Sequence, residues 1–188
     1  SWVARQRREE ARALGEDVLA GARRALGDQH PLTLKCLSRL AVLCYHTENA
    51  VRAREVAAEA VAAGRRTAGM DVEDLATALD ILGRMMARAG DVAGGERHVR
   101  EAFARTREHF GPDHLTTLVA ANRLAGFLYN IRIKLPEAES IYLDALDRQK
   151  RAFGEKHPVT RRIRGNLALL YTFAEPSRPA LALWEWLT

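Results

Sequence analysis

Four glycines, Gly27, Gly69, Gly111 and Gly154, stand 42, 42 and 43 residues apart. After three of them comes a related phrase: GDQHPLTL from Gly27, GPDHLTTL from Gly111 and GEKHPVTR from Gly154. A period in this range predicts a solenoid, in which each supersecondary unit buries its apolar face only against its neighbours. Such a chain offers extended surface for other proteins rather than a closed catalytic pocket.

Setting the glycines in register brings out the packing pattern. Thirteen residues after each stands Leu40, Leu82, Leu124 or Leu167, followed by Ala41, Gly83, Ala125 or Ala168. Leu43, Met85, Phe127 and Leu170 come next but one, and then Cys44, Met86, Leu128 and Tyr171. Large, small and large residues at helical spacing describe a helix packed closely at its small position. A second helix follows in each unit, with small residues seven apart: Ala53 and Ala60, Gly95 and Ala102, Ala138 and Ala145. Ala11 and Val18 match that pair ahead of Gly27, and Ala180 begins another near the far end. One extra residue near Lys134-Leu135-Pro136 accounts for the interval of 43. Breakers mark the turns within units: Glu48-Asn49, Gly90-Asp91, Pro136 and Pro176.

At the boundary between units, glycine suits a left-handed helix cap. Pro31 and Pro158 suit the first turn of the next helix, where a missing N–H costs nothing. His30, His114 and His157 recur there once per unit. Equivalent boundaries lie far apart in a solenoid and no second ligand recurs with them, so these histidines predict a structural turn rather than a metal site.

Composition narrows the function classes. At 188 residues the chain can bury roughly 70% of the surface its unfolded form exposes. No apolar run approaches the roughly 20 residues needed to span a bilayer, and no signal-peptide pattern opens the chain. Trp2 and the charged stretch Arg5 to Glu10 read as a helix already in progress, which implies a larger parent protein. Lys+Arg of 29 against Asp+Glu of 24 leaves a charge of +5. The arginines are spread along every helix among acidic partners, with no basic block and no aromatic interleaving, which argues against nucleic acid. Cys36 and Cys44, eight residues apart on one helix, are separated by about 12 Å and cannot pair within it. Two such thiols fit a reducing, cytoplasmic setting. No phosphate loop, no His-Glu-x-x-His and no nucleophile-elbow serine is present, so neither an enzyme nor a cofactor is expected.

With GNLALLY (Gly165 to Tyr171) and LPEAESIYLDALDRQKRAFGEKHPVT (Leu135 to Thr160), the chain resembles the tetratricopeptide repeat. The form is the 42-residue one of kinesin light chains and of repeat arrays in bacterial and fungal signalling NTPases. The resemblance implies an all-α, right-handed superhelical α-solenoid of antiparallel helix pairs, forming one domain over 1–188. Its parts would be a second helix of a partial repeat (1–27), full repeats over 28–69, 70–111 and 112–154, and a truncated fourth over 155–188. The second repeat departs from the pattern: GMDVEDLA replaces the His-Pro phrase, and Gly94-Gly95 makes its second helix either a soft spot or a place of unusually close packing.

In this family the first helix of each pair lines a concave groove. Carried across by register, the groove holds Lys35, Ser38, Arg39, Val42, Tyr45 and His46 in the first repeat, with Thr77, Asp80, Arg84 and Arg88 in the second. Asn122, Arg123, Gly126, Tyr129 and Asn130 follow, then Arg162, Asn166 and Leu169. Asn122 and Asn166 match positions where kinesin-light-chain-like repeats carry asparagine, which clamps the main chain of an extended peptide. An amide both donates and accepts, so it can read a backbone without reading a side chain. Arginines outnumber the one acid in the set, Asp80. The expected partner is therefore an acidic peptide segment or a C-terminal carboxylate, unless the arginines pair internally. An alternative of another class is a regulatory or oligomerisation array of a STAND-type signalling NTPase. Trp184 is expected in the core, and Trp186 facing a further repeat, a partner or a second copy.

Overall fold

The computed structural model describes residues 2–174 except 48 and 68. Among these residues the chain is helical throughout: α1 (Trp2–Leu26), α2 (Pro31–His46), α3 (Ala50–Arg66), α4 (Val72–Arg88), α5 (Val92–Phe110), α6 (Leu115–Ile131), α7 (Leu135–Phe153) and α8 (Pro158–Ala174). Helices α1 to α4 each pack on the next, as do α6 to α8, and α2 packs on α4 as α6 does on α8, so first helices meet across a repeat. The expectations for Pro176, Ala180, Trp184 and Trp186 lie outside the described residues, as does Glu48. The chain divides into two units, Ser1–Arg105 and Thr106–Thr188, at a point within α5.

The boundary phrase does its work through caps. Gly27, Gly111 and Gly154 take positive φ of 86°, 85° and 83°. Their N–H groups close the last turn on the carbonyls of Arg23, Arg107 and Lys150, each at 3.0 Å. The recurring histidine then caps the next helix: Nδ1 of His30, His114 and His157 accepts the N–H of Leu32, Thr116 and Val159 at 3.2, 3.2 and 3.4 Å. That bond satisfies one of the four N–H groups that an α-helix start leaves without partners. Phe110 and Phe153 stack on the rings of His114 and His157, with centroids 4.7 and 5.1 Å apart. A threonine three residues after the histidine ties the turn: Thr33 and Thr160 donate to the carbonyls of Gly27 and Gly154 at 2.8 and 3.0 Å.

The second repeat reaches the same end differently. Helix α3 stops at Thr67, whose backbone is extended, and Asp71 caps α4 by accepting the Glu73 N–H at 2.8 Å. Gly94-Gly95 is a place of close packing. A Cβ on Gly95 would lie 2.4 Å from the Gly83 carbonyl oxygen, and one on Gly83 would lie 2.6 Å from that of Gly95. The backbones of α4 and α5 therefore touch where the other repeats place alanine. Gly94 donates its N–H to the Asp91 carboxylate at 2.8 Å, and a Cβ there would collide with that carboxylate.

The register residues form the core. Leu40, Leu82, Leu124 and Leu167 are buried, as are Ala41, Gly83 and Ala125. Small residues of the second helices are buried too: Ala53, Ala60, Gly95, Ala102, Ala138 and Ala145. Val18 departs from its match: it is 50% exposed, while Leu19 beside it is buried. In repeat two this face of the second helix meets the first helix of its own pair, and no described helix takes that place beside α1. Arginine–carboxylate pairs join successive second helices in the first unit. Arg23 pairs with Glu59, and Arg65 with Glu101 at 2.5 Å, the same contact moved by one 42-residue period. Arg52 grips Glu16 with Nε and Nη2, both at 2.8 Å.

Candidate peptide-binding face

The residues assigned to the groove sit on first helices, in two separate sets. Lys35, Arg39, Tyr45 and His46 stand on α2, with Arg84 and Arg88 on α4. In the second unit Asn122, Arg123, Tyr129 and Asn130 stand on α6, with Arg162 and Asn166 on α8.

In the first unit carboxylates meet part of this positive charge. Asp80 is buried and both its oxygens accept from Arg84 Nε, at 3.0 and 3.1 Å. Arg39 is exposed, with Nη2 3.5 Å from a carboxylate oxygen of Asp74, which is only 4% exposed. Burial pushes the Asp74 carboxyl above the usual carboxylate range, and the charges of Arg39 and Lys35 pull part of the way back. Ser38, assigned to the groove by register, is wholly buried; its hydroxyl donates to the Asp74 carbonyl at 3.0 Å and ties α2 to α4. Its register position is too deep to reach a ligand. Lys35, His46 and Arg88 are exposed, and half-buried Tyr45 sets its ring edge-on to His46 at 5.5 Å.

Asp74 is the residue that sequence reasoning missed. Its signal was Asp71: once that residue is read as the helix cap, Asp74 falls on the first turn of α4, beside the preceding first helix.

In the second unit amides take the place of charges. Asn166 Nδ2 donates to Asn122 Oδ1 at 2.8 Å, linking α8 to α6. Asn122 is 8% exposed and Asn166 half-buried. Arg162, one turn before Asn166, is exposed, as are Asn130 and Leu169; Arg123 and Tyr129 are half-buried. Both assigned asparagines thus meet each other, and the Asn166 carbonyl oxygen and second N–H are left outside that bond.

The buried thiol takes no part in this face. Cys44 is fully buried, and burial pushes its thiol above the ordinary range, which makes it a poor nucleophile. Among the described residues no group of three metal-ligating side chains gathers, and no helix is long and apolar enough to cross a membrane.

Sequence models described as tetratricopeptide repeat match residues 3–66, 75–116 and 117–159, together most of the chain. The chain belongs to the tetratricopeptide-repeat family. Solved structures share the fold: BtubC (BKLC) from P. vanneervenii matches with a TM-score of 0.74 at 22% identity, over 96% of this chain and 72% of that one. A kinesin-light-chain-type protein of Podosopora anserina with nearly identical TPR-like repeats matches at 0.74 and 21%, and a single-substitution variant of it at 0.76 and 20%. Each of those two alignments covers 97% of this chain and 87% of the other. No curated relative matches in sequence. Tetratricopeptide repeats mediate protein–protein interaction, and this chain carries an all-α solenoid of that kind.

Proposed function

We propose that the first-helix face binds an extended, acidic peptide segment of a partner protein, with the asparagines of α6 and α8 holding its main chain. The observation that carries this reading is the Asn166–Asn122 bond. It fixes the Asn166 amide so that its remaining acceptor and donor are preset for one peptide unit, which lowers the ordering cost of binding. Arg162, exposed one turn away on α8, supplies a guanidinium fork for a ligand carboxylate. Lys35 and Arg88 are exposed cations on the first-unit face, whereas Arg84 already serves Asp80 and adds little attraction.

Fluorescence anisotropy of an acidic peptide library at two salt concentrations tests this. Wild type should bind a subset with salt-sensitive affinity. Asn166→Ala should weaken every bound sequence alike, by roughly tenfold for one lost set of backbone contacts. Arg162→Ala should weaken only peptides with a carboxylate in reach and should reduce the salt dependence. Absence of binding by a folded wild type would sink the proposal.

A further inference from the structure

A cleft in the first unit lies between the early turns of α1 and the end of α2. Arg5, Arg8, Glu9, His46 and Thr47 line it. Two of these five are already engaged. The Glu9 carboxylate accepts from Arg12 Nε at 3.0 Å, and the Thr47 hydroxyl donates to the Cys44 carbonyl at 3.0 Å. Arg5 and Arg8, one turn apart on α1, are exposed and make no ion pair with any described residue. Like charges at that spacing repel by a few tenths of a kcal/mol, about 0.2–0.5. His46 closes the cleft from α2, its ring held edge-on to Tyr45.

The geometry points to this cleft as a binding site for a phosphate group, gripped by Arg5 and Arg8 from α1 and by His46 from α2. Donors arriving from two helices suit the three terminal oxygens of a phosphate monoester better than the planar pair of a carboxylate, which one guanidinium fork already fills. Glu9 does not oppose the anion strongly, because Arg12 balances its charge. The site shares His46 with the first-helix face but uses neither asparagine on which the peptide-binding reading rests.

Inorganic phosphate, then a phosphoserine tripeptide and its unphosphorylated form, would be titrated into the protein while the His46 imidazole NMR signals are followed. The expected result is a saturable shift of His46 with both phosphate probes and none with the unphosphorylated peptide. Arg5→Gln/Arg8→Gln should weaken it roughly tenfold or more, while Arg7→Gln, exposed on the same helix but outside the cleft, leaves it unchanged. Asn166→Ala should also leave it unchanged, which separates failure here from failure of the peptide reading. A linear response, or equal weakening by Arg7→Gln, would overturn the site. So would an unaltered response in the double variant, or a loss of stability in that variant without any phosphate response; the last would assign Arg5 and Arg8 to the carbonyl end of α2. Saturation by inorganic phosphate alone would assign the site to a free phosphate, and by the tripeptide as well to a phosphorylated segment.

Discussion

Helix pair α4–α5 and helices α6–α8 occupy the same register and solve it with different chemistry. In α4–α5 two glycines let the backbones touch, and the exposed side of α4 carries Arg84 clamped on buried Asp80. In α6–α8 fully buried Ala125 and Ala138 mark the same small positions, and the first helices join buried Asn122 to half-buried Asn166. Packing in a repeat constrains size at a few positions only. The face left over is therefore free to carry ion pairs in one repeat and amides in another. The consequence is electrostatic: the Arg84–Asp80 and Arg39–Asp74 contacts of the first unit are between charged groups, whereas the Asn166–Asn122 bond is between neutral ones.

The strongest test concerns what the two regions share. Leu82→Ala and Leu124→Ala remove register leucines of α4 and α6, buried at 7% and 2% exposure. Each should cost about 2–5 kcal/mol, with the Leu124 variant losing at least as much. Urea denaturation followed by circular dichroism measures this, and a cost below about 1 kcal/mol for either would break the common register.

Next in size is the glycine contact that separates them. Gly95→Ala drives a methyl into the Gly83 carbonyl and should cost about 1–3 kcal/mol by overpacking. Gly165→Ala, on α8, meets nothing within 4 Å and should gain about 0.5–1 kcal/mol from helix propensity. Opposite signs in thermal melting are the expected outcome; a gain at Gly95 would show that α4 and α5 can separate without cost.

The smallest effect is the pH response. Burial raises the Asp74 carboxyl, so the folded chain keeps that proton to a higher pH than the unfolded chain does. Its contribution to stability is present in acid and is lost as pH rises through the raised value. Asp74→Asn should remove that term and leave the protein equal to wild type or up to about 1 kcal/mol more stable at neutral pH. Glu16 runs the other way. Its hydrogen bonds from Arg52 lower its carboxyl, so its contribution is present at neutral pH and lost in acid. Asn166→Ala should leave the shape of the stability–pH curve in acid unaltered, since no carboxylate takes part in its bond to Asn122. Denaturation midpoints from pH 3 to 7 decide between these behaviours.

Much of this was legible in the residues themselves. A 42-residue glycine period, leucines thirteen positions on and alanines at the small positions determine helix pairs and their core, because helical periodicity and burial are local consequences of residue size and polarity. The structural role of the recurring histidines followed from their place at each boundary. Tertiary structure alone decided how the exposed residues are spent. Register placed Arg39 and Arg84 on the face, but only packing of α2 beside α4 brought Asp74 to Arg39 and buried it. Asn122 and Asn166 lie 44 residues apart, and only stacking of α6 on α8 turned two separate amides into one bonded pair. Whether Gly94-Gly95 loosened or tightened its helix also waited on the neighbour, because a missing side chain is a defect or a contact surface according to what stands opposite it.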